Sequence, residues 1–181
     1  MYLIKTPRLG LRNWIETDIA PMTAINLNEE VMRFFPSPYG LDATKRLVKR
    51  MQKEYKDRGH CYFAVDLLET GEFIGFIGLS YQDYLDNHDP FVDIGWRLAP
   101  SSWGKGLAPE GAQACLDYAF STLKLDRVYA VAPEANTPSQ RVMQKIGMEQ
   151  IDVFDHPKLL DHERLKTCVL YRANSPILAP Q

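Results

Sequence analysis

The sequence predicts one α/β domain, and three observations support this prediction. The chain has 181 residues, 45% of them hydrophobic, which is enough to build a sizeable core in a single domain. Short stretches rich in aromatic and β-branched residues, separated by turn residues, alternate with longer segments at helical spacing. No internal repeat divides the sequence, so we expect the domain to span residues 1–174, with a loose tail over residues 175–181.

One strand and three helices are predicted before residue 60. Residues 8–14 alternate between apolar and polar side chains, which is typical of a half-buried strand. Thr17 or Asp18 can supply the N-cap of the first helix, and Gly59 can end the third. The three helices are expected from about residue 18 to residue 26, over residues 29–35, and over residues 42–58.

Strands dominate the middle of the chain. Three segments there are rich in aromatic and β-branched residues, and a tight hairpin is predicted at residues 69–71. A longer polar loop over residues 82–90 fits two interpretations, one wall of a cleft or a solvated hairpin tip. The three strands are expected over residues 61–67, 72–80 and 91–98.

After residue 98 the predicted order is loop, helix, strand, helix, strand, strand. The first of these helices carries an apolar stripe, which predicts firm packing on a sheet. The second has Thr137 as its predicted N-cap, with Pro138 in the first helical position. These helices are expected over residues 109–123 and 137–147, and the strands over residues 127–132, 150–154 and 167–172.

Charge and composition disfavour several kinds of partner. The net charge is −2 and the sequence pI is about 6.1, with acids and bases interleaved, so neither nucleic acid nor an anionic membrane is expected. The sequence contains neither a bilayer-length apolar run nor a signal peptide at its start, which predicts a cytoplasmic location. Cys61, Cys115 and Cys168 are far apart without a C-x-x-C pattern, so buried reduced thiols are expected.

The most informative stretch, residues 91–110, reads as a strand, a glycine-containing loop and the start of a helix. Glycines let the backbone turn without a Cβ clash, so that successive N–H groups and the helix dipole converge on an anion. The sequence therefore predicts a phosphate-binding junction. The expected amide donors are Gly104, Lys105, Gly106, Leu107 and Ala108.

Two familiar nucleotide-binding motifs fit this loop poorly. A Walker A loop needs its first glycine where Ala99 stands, and it needs Ser or Thr after the lysine, where Gly106 follows Lys105. The loop also lacks the G-x-G-x-x-G spacing of a dinucleotide site, and hairpin-like strands precede it instead of a βαβ unit. A mononucleotide or dinucleotide site is therefore disfavoured.

The stretch Trp103-Gly104-Lys105-Gly106-Leu107-Ala108 resembles the phosphate loop of the GNAT superfamily, Gln/Arg-x-x-Gly-x-Gly/Ala. Trp103 stands where this motif has Gln or Arg. That replacement resembles the loop of the branch that contains ribosomal-protein N-terminal acetyltransferases. Three more segments resemble that branch, so the resemblance covers roughly residues 6–172. They are Thr6-Pro7-Arg8-Leu9-Gly10-Leu11-Arg12, Phe73-Ile74-Gly75-Phe76-Ile77-Gly78-Leu79 and Asn136-Thr137-Pro138-Ser139-Gln140-Arg141-Val142-Met143-Gln144-Lys145-Ile146-Gly147-Met148.

The resemblance implies a mixed, mostly antiparallel sheet that is splayed at its middle and flanked by helices. It also implies acetyl-CoA as the acetyl donor, with the pantetheine arm along the strand edges at residues 94–98, which include Leu98, and 128–132. The amides of residues 104–108 would then hold the pyrophosphate, with Trp103 also contacting the cofactor, and Asn136 and Ser139 would lie near the pantetheine and sulfur. Both also have local interpretations, Asn136 as a turn residue before the helix and Ser139 as a first-turn helical residue.

Acetyl transfer to an amine needs a neutral nucleophile and protection of the departing thiolate. Asp93, two residues before Gly95, matches the position where many GNAT members place a base carboxylate, although a solvent-facing strand-edge acid is the alternative. Met143 stands where many members have a tyrosine acid, and methionine cannot donate a proton. Ser139, one turn earlier, is the substitute donor to the sulfur, and His156 is a second candidate base.

The expected reaction is acetylation of a primary amine, either a protein N-terminal α-amine or a small-molecule amine. A catalytically silent acyl-CoA-binding module is the alternative, because the usual tyrosine is missing. A hydrolase based on Cys168 is disfavoured, since this cysteine lies within a predicted strand without an elbow turn. His156 and His162 do not form an H-E-x-x-H pattern, so no metal is expected. The sequence leaves the acceptor and the oligomeric state, including a homodimer, open.

Overall fold

A computed structural model of the chain describes residues 1–84 and 90–176. The predicted loop over residues 82–90 and the predicted tail over residues 175–181 therefore fall partly outside the described residues. Among the described residues, eight strands form one sheet in the order β1-β2-β3-β4-β5-β6-β8-β7. The strands are β1 (Ile4–Lys5), β2 (Leu9–Arg12), β3 (Tyr62–Leu67), β4 (Phe73–Gln82), β5 (Phe91–Leu98), β6 (Arg127–Pro133), β7 (Glu149–Asp155) and β8 (Thr167–Asn174).

Five α-helices accompany the sheet in the described part of the chain. They are α1 (Ile19–Leu27), α2 (Glu29–Met32), α3 (Leu41–Arg58), α4 (Leu107–Ser121) and α5 (Thr137–Lys145). The apolar stripe predicted for α4 is buried against β4 and β5. Gly111 lets this helix approach the sheet closely, because a Cβ there would lie 2.5 Å from Ile77 Cδ1 and 3.1 Å from Leu9 Cδ1. No helix in these ranges is long and apolar enough to cross a membrane.

The sheet is mixed, mostly antiparallel and splayed at its middle, as the resemblance implies. Neighbouring strands run antiparallel except β5 and β6, which are parallel and share one paired position, Asp93 with Tyr129. By contrast, β4 and β5 are paired at every position of β5. Beyond Asp93 the edges of β5 and β6 face a common cleft instead of each other. The cleft begins where the pairing of these two central strands ends.

Several helix boundaries differ from the sequence prediction by one to three residues, and two of these differences have a clear physical reason. The helix α2 ends at Met32 instead of residue 35, because the Phe35 amide donates to the Met32 carbonyl in a tight turn at 2.8 Å. The helix α4 begins at Leu107, two residues before Pro109. A proline in the first turn costs no hydrogen bond, since the first amides of a helix have no intrahelical acceptor.

Candidate active site

The loop between β5 and α4 presents a row of free backbone amides. Gly104 and Gly106 have φ values of 72° and 75°, in the left-handed region that glycine adopts without a Cβ clash. In the described part of the chain, none of the amides of residues 104–108 donates a hydrogen bond to a backbone or side-chain acceptor. These amides lie at the N-terminus of α4, where the helix dipole is positive. The geometry is that of an anion site.

The loop is held in place by a carboxylate of the first turn of α4. Glu110 accepts hydrogen bonds from Thr6 Oγ1 at 2.6 Å, from the Arg8 amide at 3.0 Å and from Arg8 Nε at 2.7 Å. The Arg8 guanidinium also donates to the Lys105 carbonyl at 2.8 Å. Burial opposes ionisation of Glu110, but the bonds from Thr6 and Arg8 outweigh it and lower the pKa of the carboxyl. Arg8 therefore neutralises an acid that lies in the first helical turn after the amide row.

Sequence reasoning did not identify Arg8 and Glu110 as site residues. Arg8 lies in a segment that carries the family resemblance and Glu110 follows the phosphate loop, yet they are 102 positions apart in the chain. An arginine at a strand and an acid in a first helical turn are each ordinary residues, so only the fold reveals that they pair across the loop.

The amide row opens into a cleft of about 800 Å³ between the parted strands. Trp103 lines it, and its indole Nε1 donates to the Leu98 carbonyl at 2.9 Å. Leu98 also lines the cleft, but this bond already uses one acceptor site of its carbonyl oxygen. From the other side the cleft is closed by the end of β6 and by the first turns of α5.

The helix α5 presents Asn136, Ser139 and Met143 to the cleft. The Asn136 side chain accepts from the Ser139 amide at 3.2 Å, so Asn136 is the N-cap, not Thr137 as predicted. The local interpretation of Asn136 thus holds, and its place on the cleft wall leaves its side-chain amide available to a ligand. Ser139 and Met143 are one helical turn apart, and Met143 is buried.

Asp93 is a buried acid at the point where the strands part. It accepts hydrogen bonds from Tyr62 Oη at 2.7 Å and from Gln82 Nε2 at 3.2 Å. Burial raises the pKa of Asp93 to about 7, although both hydrogen bonds oppose the shift. The predicted alternative, a strand-edge acid facing solvent, is therefore wrong. At neutral pH this carboxyl exchanges readily between its two protonation states.

His156 lies on the same cleft as Asp93 and Ser139. Its ring packs between Tyr84, at a centroid distance of 4.5 Å, and Phe154, at 6.1 Å. Its Nδ1 accepts from the Lys158 amide at 3.1 Å. Burial, followed by the charge of Lys158, lowers the pKa of His156, so the ring is neutral at pH 7.

The described residues fit acetyl-CoA in three respects. Free amides at a helix N-terminus suit a diphosphate, and the parted strands leave backbone edges for an amide-containing arm. The cleft also extends from these amides to a buried carboxyl whose pKa is near neutrality.

Comparison with known proteins agrees with this geometry. Residues 8–149 match the family described as the acetyltransferase (GNAT) domain. The chain is 31% identical to the uncharacterized N-acetyltransferase YnaD of Bacillus subtilis, over 83% of this chain and 85% of YnaD. It is 28% identical to spermidine N(1)-acetyltransferase of Escherichia coli, over 76% of this chain and 70% of that enzyme. A crystal structure of a GNAT-family acetyltransferase from Bacillus anthracis matches with a TM-score of 0.79 at 28% identity, covering 97% and 99% of the two chains.

The chain belongs to the GNAT acetyltransferase family, since the family match covers most of its length. It is an acetyl-CoA-dependent N-acetyltransferase, as the resemblance in the phosphate loop implies. A ribosomal-protein-S5-alanine acetyltransferase from Vibrio fischeri shares the fold, with a TM-score of 0.76 at 16% identity. At this identity the likeness is one of fold, so the branch that Trp103 indicates stays a prediction.

Proposed function

We propose that the protein transfers the acetyl group of acetyl-CoA directly to a primary amine while both substrates are bound. The acceptor is a small-molecule amine or the α-amine of a protein N-terminus. The observation that carries this proposal is the position of Asp93, a buried acid with a pKa near neutrality on the cleft that the free amides open into.

The amide row from Gly104 to Ala108 would hold the pyrophosphate in this arrangement. Trp103 and Leu98 would flank the start of the pantetheine arm, and Asn136 would contact the arm from α5. The arm would then point its sulfur along the cleft towards Ser139, and the acceptor would approach from the side of Asp93 and His156.

The reaction needs the acceptor amine in its neutral form. At pH 7 an α-amine with a pKa of about 8 costs roughly 1–2 kcal/mol to deprotonate, and a lysine-like amine near 10.4 costs roughly 4–5 kcal/mol. Asp93 takes this proton, directly or through water, and neutral His156 is the second candidate base. The nitrogen lone pair forms the new C–N bond, and the C–S bond then breaks.

The departing thiolate needs a hydrogen-bond donor as the C–S bond breaks. Met143 has no proton to give, so the Ser139 hydroxyl donates to the sulfur, and the ammonium proton of the product nitrogen finally reaches the thiolate. Because Met143 stands in place of a tyrosine, turnover is the property to measure: a catalytically silent acyl-CoA-binding module, the alternative, would bind acetyl-CoA without releasing thiol.

Thiol release separates these two functions. Acetyl-CoA is incubated with the protein and a panel of amines that contains spermidine, amino sugars and peptides with free N-termini, and free CoA thiol is measured. We expect amine-dependent thiol release by the wild-type protein and little release by Asp93→Asn. Tight binding of acetyl-CoA without release for any amine would favour the silent module.

A further inference from the structure

A second buried ionisable group, Arg97, lies on the cleft wall. It is on β5 together with Asp93. In the antiparallel pairing with β4, Arg97 is paired with Phe76 and Asp93 with Ser80. Side chains two residues apart along a strand point to the same face of a sheet. Arg97 and Asp93 therefore share one face, on the side of the cleft assigned to the acceptor.

The charge of Arg97 has no acidic partner among the described residues. Arg97 is 7% exposed, and no described carboxylate lies within 4 Å of its guanidinium. Its Nη1 donates to a neutral acceptor, Asn26 Oδ1, at 2.6 Å. The carbon of the guanidinium lies 4.1 Å, 5.2 Å and 5.4 Å from the ring centroids of Phe35, Tyr39 and Phe76. Burial lowers the pKa of Arg97 to about 10, so the group still carries its charge at pH 7.

One donor of this guanidinium is left without an acceptor. Among the described side chains, two buried nitrogens lack a hydrogen-bond partner, Arg97 Nε and Arg172 Nε. Of these two arginines, only Arg97 lines the cleft. Burying a cation without a counter-ion is costly. Contacts with aromatic rings, the Tyr39 hydroxyl and one neutral amide offset only part of that cost, because none of these groups carries a negative charge.

A carboxylate is the group that would complete this site. The planar guanidinium offers donors in a fork that matches two carboxylate oxygens, and hydrogen bonds between charged partners are about twice as strong as neutral ones. A carboxylate reaching Arg97 from the cleft would satisfy Nε and neutralise the buried charge together.

We propose that Arg97 binds a carboxylate of the acceptor, so that the acceptor is an amino acid-like molecule with an amine at one end and a carboxylate at the other. This inference rests on the proposed function, because it takes the Asp93 end as the amine end. Along β5 the two Cα atoms are four residues, roughly 13 Å, apart at about 3.3 Å per residue, and both side chains reach into the cleft and shorten that span.

Aromatic rings connect the two ends of this subsite. Tyr62 donates its hydroxyl proton to Asp93 and stacks on Phe76 at 5.0 Å, and Phe76 in turn contacts Arg97. The surface formed by these rings favours an acceptor with an apolar or aromatic spacer between its amine and its carboxylate. A polyamine, with a cation at each end, would bring a positive charge to Arg97.

The test compares acceptors that differ only in this carboxylate. Binding is measured by calorimetry to protein saturated with CoA, which requires no turnover. The matched pairs are 4-(aminomethyl)benzoate with 4-(aminomethyl)benzamide and 4-aminobutyrate with 4-aminobutanamide, and spermidine is included as a polyamine. We expect the wild-type protein to bind the carboxylate member of at least one pair roughly 10- to 100-fold more tightly than its amide, as a hydrogen bond to a charged group predicts.

Two substitutions assign the preference to Arg97. Arg97→Gln should abolish the preference for carboxylate over amide. Arg97→Lys should keep only part of this preference, because an ammonium keeps the charge but lacks the paired N–H donors of a guanidinium. The affinity for CoA should stay the same in both variants, and circular dichroism verifies that they fold. The wild-type comparison stands even if neither variant folds.

Three results would overturn the inference. They are equal binding of acid and amide by the wild-type protein, tighter binding of spermidine than of every carboxylate, and a carboxylate preference that survives Arg97→Gln. Loss of CoA affinity in Arg97→Gln with the preference intact would also assign the residue to the cofactor. A carboxylate preference that depends on Arg97, combined with no thiol release for any amine, would contradict the proposed acetyl transfer and still support the carboxylate subsite.

Discussion

Asp93 combines two properties that oppose each other, burial and the need to carry charge. Its neighbours Tyr62 and Gln82 donate hydrogen bonds that favour the ionised form, and burial favours the neutral form more strongly. The balance puts the pKa of Asp93 at about 7, where a general base works well at neutral pH. The position of this acid could be predicted from its place before Gly95. Its pKa could not, because Tyr62 lies 31 residues away in the chain.

The first prediction concerns the pH dependence of turnover. Because the base form of Asp93 is populated above a pKa of about 7, wild-type kcat/KM should fall as the pH drops below that value. Asp93→Asn should lower kcat/KM at pH 7 by about 10²-fold or more, and by less at high pH, where the amine loses its proton unaided. Thiol release measured between pH 6 and pH 9 checks this, with CoA affinity as the control. A loss that is uniform across this range would reduce Asp93 to a structural role.

The second prediction concerns stability at the same residue. The pKa of Asp93 is about 7 in the folded protein and about 3.9 in an unfolded chain, so the folded state prefers the protonated form. Its contribution to stability is fully present below about pH 4 and is lost as the pH rises through about 7. Asp93→Asn should therefore raise Tm at pH 8 relative to the wild-type protein, and the gain should shrink on acidification.

Thermal melts between pH 4 and pH 8 measure this difference. Asp152→Asn is the matched control, because Asp152 is an exposed acid on the edge strand β7. A Tm difference that stays constant with pH, or that equals the one at Asp152, would contradict the assignment of a raised pKa to Asp93.

At the scale of elements, the loop before α4 depends on both local and distant sequence. Gly104 and Gly106 mark the turn directly, since both adopt left-handed backbone, and the phosphate loop was therefore predictable from its own residues. The ion pair between Arg8 and Glu110 was not predictable, because Arg8 precedes β2 and Glu110 lies on α4, 102 positions away. The start of α4 also escaped prediction, since a proline in a first turn marks the helix without fixing its first residue.

The third prediction tests this loop. Gly106→Glu should abolish acetyl-CoA binding, because it places a side chain and a negative charge among the amides that would hold the pyrophosphate. Gly71→Glu is the matched control, since Gly71 also has a left-handed φ of 71° with open space around its Cβ, but lies in the turn between β3 and β4. Calorimetry with CoA should show loss of binding in the first variant alone. Unchanged affinity in folded Gly106→Glu would move the phosphate site elsewhere.

At the scale of the whole molecule, the cleft exists because the sheet is incomplete. The β5 and β6 strands are joined at Asp93 and Tyr129 and part beyond them, while α4 covers both strands of the β4–β5 pair. The sequence predicts every strand that lines the cleft. The split itself followed only from the family resemblance, because strand patterns indicate which residues are buried and do not fix how far two neighbouring strands stay paired.

An open sheet of this kind should gain stability when a ligand bridges its two halves. A ligand that binds only the folded state stabilises it by about 2.7 kcal/mol at a concentration of 100 Kd. For a chain of this length, about 1 kcal/mol corresponds to roughly 2–4 °C in Tm. The fourth prediction is therefore that saturating CoA raises Tm by roughly 5–10 °C. Amides of β5 beyond Asp93 and of β6 should also exchange more slowly with solvent in its presence.

Thermal melts and hydrogen exchange with and without CoA measure the two effects, and both should disappear in Gly106→Glu. Mass action alone would raise Tm wherever CoA bound, so the location of the protected amides is the decisive readout. Protection at both parted strands means that the ligand lies between them and joins the two halves of the sheet. A rise in Tm with protection confined to the loop and the first turn of α4 would mean that the phosphates bind there while the arm stays outside the split, which the proposed transfer to an amine beside Asp93 does not allow.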